Sequence, residues 1–73
     1  MTEKEKKLIK STLKSSQIFD IEHEWKNVYN VVTKSVEYPE LKNLSKYFLI
    51  ESIDAVEEYG EAFVYITIRT KND

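Results

Sequence analysis

The sequence contains no cysteine, and it has one histidine, one glycine and one proline among its 73 residues. Without cysteine it forms no disulfide, and a structural zinc site is not expected because most such sites use thiolate ligands. Chemistry at neutral pH usually needs a histidine, a thiolate, a metal, or a glycine-rich turn that brings backbone close to phosphate. The composition therefore argues against an enzyme and predicts no catalytic residue, no metal and no cofactor.

Long hydrophobic runs are also missing. The longest, 47–50 and 62–66, are far shorter than the ~20 residues that a membrane-spanning helix needs. The N-terminal segment is too charged for a secretion signal, and the lack of cysteine fits a reducing compartment. We therefore expect a cytoplasmic protein with no membrane partner.

What the chain does contain is the composition of a folded domain, with 41% hydrophobic and 33% charged residues. Residues 1–73 are expected to form a single small domain. Domains of this size usually gain stability from a disulfide, a metal or oligomerisation. Because the first two are disfavoured here, self-association or folding against a partner stays open.

The net charge of −2 hides an asymmetry along the chain. Residues 1–16 hold five lysines and two glutamates, whereas residues 17–73 hold six basic and eleven acidic groups. An acidic body repels nucleic acid, and the basic segment lacks the arginines and aromatics that contact bases. Nucleic acid is therefore not the expected partner.

The first segment has the pattern of an amphipathic helix over 3–15. Thr2 and Glu5 have the spacing of a capping box, and acidic residues precede the lysines, which suits the helix dipole. The apolar side chains that share one face are Leu8, Ile9 and Leu13.

Residues 18–37 fit two interpretations. On a helical wheel the large apolar side chains gather within about a third of the circle, with Asp20 at the N-cap position. Residues 19–25 also alternate as in a strand, and the valines that follow favour a strand too. We favour the helix, because a complete apolar arc is harder to obtain by chance than four alternations, and keep the strand as the alternative. The arc consists of Ile18, Ile21, Trp25, Val28, Tyr29, Val32 and Val36.

The C-terminal half predicts a β-hairpin. Residues 62–70 are rich in β-branched and aromatic side chains, and Tyr59-Gly60 supplies a left-handed turn between them and 47–57. Pro39 begins a short helix or turn before the hairpin. In the rival interpretation the Pro39 helix continues to Tyr59 and leaves 62–70 without a strand partner, so we rank it second. The predicted fold is thus an α+β domain with an N-terminal helix, a second amphipathic element and a C-terminal antiparallel hairpin.

Carboxylates gather in and around this hairpin. Spaced carboxylates on a small rigid body can engage a basic groove through charge-assisted hydrogen bonds, and an exposed tyrosine is typical of interface hot spots. In the alternative interpretation, these charges only keep the hairpin tip soluble. The candidate partner-binding residues are Glu51, Asp54, Glu57, Glu58, Tyr59 and Glu61.

These patterns predict a non-enzymatic protein-binding module, an inhibitor or adaptor that docks on another protein. The composition is similar to that of small proteins from AT-rich bacteria and their phages, so a phage-derived inhibitor is part of the hypothesis. One alternative is a self-associating structural or regulatory subunit, a homodimer formed by helix packing or at the edge of strand 62–70. Another is a nucleic-acid-binding regulator that uses Lys7, Lys10 and Lys14.

One cluster resembles metal or acid–base chemistry: His23 with Asp20 and Glu24. On a helix Asp20 and His23 could point at one ion, but a catalytic metal normally takes three protein ligands. On a strand His23 would lie beside Ile21 and Trp25 on an apolar face. We therefore predict a structural histidine.

Overall fold

The protein is described by a computed structural model over residues 3–13 and 18–71, in which two helices accompany a four-stranded antiparallel sheet. The predicted α+β class and the C-terminal hairpin are confirmed. In chain order the elements are α1 (Glu3–Thr12), β1 (Ile18–Trp25), β2 (Val28–Thr33), α2 (Tyr38–Leu44), β3 (Phe48–Glu58) and β4 (Glu61–Thr70).

The strands lie in the order β1-β2-β4-β3, so β4 is interior. Successive side chains alternate between the two sheet faces. We call the face covered by the helices the inner face and the opposite one the outer face. Helix and sheet residues meet in one core on the inner face, formed by Ile9, Leu13, Tyr29, Val31, Leu44, Phe48, Ile66 and Ile68.

The helix favoured for residues 18–37 is wrong, because this segment forms the hairpin β1–β2. Its two-residue loop, Lys26-Asn27, contains no glycine, and Lys26 itself adopts a positive φ of 47°. The Thr70 N–H donates to the Asn27 carbonyl at 3.0 Å, which ties this loop to the end of β4. The conformation of this loop therefore depends on a tertiary hydrogen bond, which the residues of the loop alone do not predict.

Irregular pairing explains why β1 resembles a helix in sequence. Two register shifts in the β1–β2 ladder leave Phe19 and Glu24 as extra residues, that is, as β-bulges. The first bulge separates the inward residues Ile18 and Ile21 by three positions instead of two. A spacing of three is also the helical spacing, so a bulged strand imitates an apolar helix arc.

The β3–β4 hairpin turns at Tyr59 and Gly60, whose φ angles are 53° and 79°. Two consecutive positive φ values in a two-residue loop are typical of a type I′ turn. The rival helix from Pro39 to Tyr59 is wrong. The edge of strand 62–70, one route considered for self-association, is already paired, because β4 pairs with β3 on one side and, over residues 64–69, with β2 on the other.

Both helices lie on the inner face. The helix predicted over 3–15 ends at Thr12, while Thr2 and residues 14–15 lie outside the described residues. Helix α2 begins after its N-cap residue Glu37, and Pro39 occupies the first turn, where its missing N–H costs no hydrogen bond. Buried Glu40 completes a capping box with Glu37.

A matched pair of isoleucines tests where the helices cover the sheet. Ile66 and Ile53 are cross-strand partners on the inner face, yet Ile66 is 0% exposed and Ile53 46%. Ile66→Val should lower the free energy of unfolding by about 1 kcal/mol, because it leaves a small cavity in the core. Ile53→Val should cost less than about 0.5 kcal/mol, since its site is open to water. Urea denaturation measures the free energy of unfolding of both variants. Equal losses would contradict the conclusion that the helices bury Ile66 and leave Ile53 open.

The turn can be tested at Gly60. A Cβ added there would meet no atom within 4 Å, so the effect of Gly60→Ala is purely conformational. Because φ is +79°, we expect alanine to reduce the free energy of unfolding by about 1 kcal/mol. The control is Glu61→Ala, which places alanine at the adjacent exposed position without a positive φ and should change the free energy of unfolding by less than about 0.5 kcal/mol. An unchanged denaturation midpoint for Gly60→Ala would contradict the left-handed turn.

Candidate functional site

The outer face of the sheet is the candidate site. The described helices pack on the inner face, and large apolar side chains stay open to solvent on the outer one: Trp25 is 65% exposed, Leu49 50% and Phe19 48%. Phe19 and Trp25 lie at opposite ends of β1, and Leu49 lies across the sheet from Trp25, so exposed apolar side chains are found at both ends of this face. By register and side-chain contacts the outer face includes Phe19, Glu22, Glu24, Trp25, Asn30, Val32, Leu49, Glu51, Asp54, Val56, Glu58, Glu61, Phe63, Tyr65, Thr67 and Arg69.

Aromatic rings form the apolar part of this face. Phe19 on β1 meets Phe63 on β4 edge to face, with 5.2 Å between ring centroids. The Lys34 Nζ lies 5.4 Å from the Phe63 ring and the Lys26 Nζ 4.5 Å from the Trp25 ring. These two lysines border the aromatic surface through cation–π contacts.

A chain of hydrogen bonds crosses the same face from β1 to β4. The Asn30 side-chain amide donates to the Glu24 carboxylate, and the Thr67 hydroxyl donates to the Asn30 Oδ1 at 2.6 Å. The network links three strands through short side chains, so it holds the Glu24 carboxylate in place before any partner arrives.

Two further contacts fix carboxylates on the β3 side. The Arg69 Nε and Nη2 both donate to one oxygen of Glu51, at 3.1 Å and 2.9 Å. The Tyr65 hydroxyl donates to the Glu58 Oε1 at 3.3 Å. Arg69 is the only arginine of the sequence, and its charge is directed at Glu51. Within the described residues Asp54, Glu57 and Glu61 form no ion pair.

The electrostatic character of the outer face is therefore acidic. Desolvation raises the pKa of the Tyr65 phenol, and the charge of Glu58, the hydrogen bond to Glu58 and the charge of Glu22 raise it further. Glu22 lies on β1 and Glu58 on β3, so carboxylates from both edge strands act on one group in the middle of the outer face.

The structure distributes the predicted partner-binding residues over three places. Asp54, Glu58 and Glu61 lie on the outer face, and Glu51 is a bulged residue of β3 that also contacts Arg69 there. Glu57 points to the inner side near the tip, where the helices do not reach. Tyr59 is 102% exposed at the tip itself. The set is thus an acidic edge and tip rather than one compact patch.

The sequence-based prediction missed the β1 contribution: Phe19, Glu22, Glu24 and Trp25. The alternation of residues 19–25 indicates the strand but not these faces, because regular alternation places Phe19 and Trp25 beside Ile21. The bulges at Phe19 and Glu24 are what bring both rings to the outer face. As a strand, this segment supplies both aromatic and acidic side chains to the outer face.

The His23 cluster does not assemble. Asp20 and Glu24 lie toward the outer face, whereas His23 pairs with Tyr29 on the inner one and stacks on its ring at 4.8 Å. The His23 Nε2 donates to the Lys26 carbonyl at 2.6 Å, which supports the β1–β2 loop. The described part of the chain contains no group of three histidine, cysteine or acidic residues that could hold a metal ion.

The helix side of the molecule has the opposite charge. Lys4, Lys7 and Lys10 of α1 are exposed there, and Lys14 lies outside the described residues. A depression of about 300 Å³ between α1 and the end of β4 is lined partly by Lys4 and Lys71. The protein is therefore electrostatically two-sided, acidic on the sheet and basic on α1.

No protein-family model, curated protein or solved structure matches this chain. In the described residues, neither helix has the length and apolar character needed to cross a membrane.

Titration of Tyr65 tests the outer-face charge. We expect Glu58→Gln to lower the Tyr65 pKa, because it removes both a negative charge and a hydrogen-bond acceptor. Glu57→Gln changes the adjacent carboxylate on the opposite sheet face and should leave that pKa unchanged. NMR of the tyrosine ring signals against pH measures both variants, and equal shifts would contradict the described faces.

The same pKa sets a pH dependence of stability. Because it is raised in the folded protein, the folded state holds the phenolic proton more tightly than the unfolded state does. This contribution is fully present below the unfolded value of about 10 and is lost as the pH rises through the folded-state pKa. Glu58→Gln should therefore flatten the loss of stability between these two pH values.

Proposed function

We propose that this protein is a non-enzymatic protein-binding module, an inhibitor or adaptor that docks on a basic surface of another protein. The docking surface is the outer face of the sheet together with the projecting β3–β4 hairpin. The observation that carries this proposal is an uncovered sheet face with both exposed aromatic rings and fixed carboxylates.

The aromatic side chains would supply the affinity. Trp25 has most of its surface in water, and Phe19 about half. Large aromatic rings bury much area for little loss of side-chain freedom, which makes tryptophan and tyrosine common at interface hot spots. A protein with a small core would gain by burying these rings in itself, so their exposure favours a role in binding.

The carboxylates would determine the specificity for a basic partner. The charges of Glu58 and Glu22 both act on Tyr65, and Glu24 lies on the same face beside Asn30. Asp54 and Glu61 extend the acidic surface toward the hairpin tip. An acidic surface of this kind accelerates encounter with a basic one and repels polyanions. Basic grooves on proteins are commonly nucleic-acid-binding sites. A protein that occupies such a groove competes with the nucleic acid and acts as an inhibitor.

The cross-strand contacts also favour binding over mere solubility. Solvated surface carboxylates need no fixed geometry, whereas Glu24, Glu51 and Glu58 each accept hydrogen bonds from a neighbouring strand. Groups that are already ordered lose little entropy when a partner binds, which improves affinity. Asp54, Glu57 and Glu61, in contrast, remain available for the lysines or arginines of a partner.

Affinity capture with matched variants tests the proposal. The tagged protein is incubated with lysate of the source organism or its host, with and without nuclease, and bound proteins are identified by mass spectrometry. We expect a stoichiometric basic protein that survives nuclease and is lost with Trp25→Ala or with Glu57→Lys/Glu58→Lys. Tyr38→Ala is the control, since Tyr38 is 75% exposed on a helix rather than on the outer face.

The alternatives give different outcomes. Retention of the same protein by the Trp25 and Glu57/Glu58 variants would contradict docking through this surface. Recovery of the bait alone, with a mass in solution of two or more copies, would favour self-association. Capture that nuclease abolishes and that depends on Lys7 and Lys10 would favour the nucleic-acid-binding regulator.

A further inference from the structure

The two edge strands of the sheet differ in how they are protected. β1 carries bulges at Phe19 and Glu24, and bulged edges pair poorly with another strand. β3 has one bulge, at Glu51, after which residues 52–58 keep an unbroken register with β4. Within the described residues β3 pairs with β4 alone, so its other edge presents backbone groups without a strand partner.

The two-residue loop fixes which backbone groups point outward. The pair that closes such a hairpin is hydrogen-bonded, and the following pairs alternate between bonded and non-bonded. Glu58 and Glu61 close this hairpin, so Ile53, Ala55 and Glu57 are the β3 residues in non-bonded pairs. Their N–H and C=O groups point away from β4, toward an incoming strand.

Nothing in the described residues shields this edge on either face. All residues from 51 to 58 are exposed except Val56, which is partly buried. Ile53 is 46% exposed although its partner Ile66 is fully buried, because the helices cover only the beginning of β3, at Phe48, and stop short of Ile53. An added strand would therefore find an apolar inner surface at Ile53 and Ala55 and an acidic outer surface at Asp54 and Glu58.

We infer that the β3 edge receives an extended segment of the partner protein as an additional antiparallel strand. The segment is one in which basic residues alternate with apolar ones. Its basic side chains lie on the outer face beside Asp54 and Glu58, and its apolar side chains lie on the inner face beside Ile53. This inference rests on the proposed function, for which it names the docking mode and the chemistry of the partner.

Charge selects this occupant over a second copy of the chain. Two β3 strands that paired edge to edge would bring the acidic side chains of both copies together along one ladder, and like charges at this short range repel each other. Charged edges are a common protection against such self-pairing. The same carboxylates attract lysine or arginine, so they favour pairing with a basic strand and disfavour pairing with the β3 strand of a second copy.

A pair of peptides tests strand addition separately from charge attraction. The probe is a fluorescein-labelled heptapeptide of alternating lysine and valine, and its control has the same composition with the lysines in one block. Fluorescence anisotropy with the wild-type protein should show binding of the alternating peptide, about tenfold or more tighter than the block peptide, because only it matches both faces.

Backbone methylation makes the test specific. In antiparallel addition the valines face Ile53 and Ala55, so the valine N–H groups donate to β3 and the lysine N–H groups point away. N-methylation of the valines should abolish binding, whereas N-methylation of the lysines should be tolerated. Equal effects of the two, no binding of any peptide, or the reverse order would overturn the inference.

Ala55→Pro tests the same edge from the protein side. Proline removes the outward N–H and keeps all charges, and it is tolerated on an edge strand whose N–H faces solvent. Its control, Ala55→Val, keeps the N–H. Far-UV circular dichroism establishes that both variants fold. The proline variant should bind the alternating peptide about tenfold more weakly and the valine variant as wild type does; equal affinities would contradict strand addition.

The partner captured from lysate distinguishes the two proposals. If Trp25→Ala abolishes capture and Ala55→Pro does not, the protein docks by its outer face and strand addition is wrong. If neither variant alters capture, docking through the outer face is wrong as well. Loss of capture with both variants supports both.

Discussion

The structure depends on the pairing of β4 along both of its edges. This strand connects the hairpin β1–β2 to β3, and it carries Ile66 and Ile68, which the helices cover completely. Each hairpin alone would be marginal in water, because an isolated pair of strands has no third strand or helix to bury its apolar face. With β4 in the middle, one inner face extends over all four strands, and two short helices are enough to cover its centre. Within residues 3–13 and 18–71, the outer face remains uncovered as a direct result of this two-layer arrangement.

Some of this arrangement could be predicted from the sequence. The apolar stripe of α1 and the density of β-branched residues in β4 are local patterns, and both gave the correct element. The glycine at the second hairpin loop also gave the correct turn, since two positive φ values need a residue such as Gly60. These features lie within a few residues of each other along the chain, which is the range over which sequence patterns are informative.

The first hairpin could not be predicted in the same way, for two physical reasons. Its loop, Lys26-Asn27, has no glycine and is held by a hydrogen bond to Thr70, far away in the chain. The bulge at Phe19 also changes the spacing of inward side chains from two residues to three, so the inward residues Ile18 and Ile21 do not show the alternation by which a strand is recognised. The candidate site was predicted only on its β3 side for the same reason: a helical β1 has no outer sheet face to which Phe19 and Trp25 could contribute.

The bulges that conceal β1 from sequence patterns also build the outer face, together with the bulge in β3. Each extra residue directs its side chain there and contacts another strand: Phe19 meets Phe63, Glu24 accepts from Asn30, and Glu51 accepts from Arg69. If bulges served only to blunt the sheet edges, the extra residues would have no reason to share one face or to reach inward to the neighbouring strands. Bulges are common beside functional sites because they redirect a side chain without a change in the rest of the fold. All three departures from regular pairing therefore shape the surface to which we assign function, and the two in β1 also account for what sequence patterns miss.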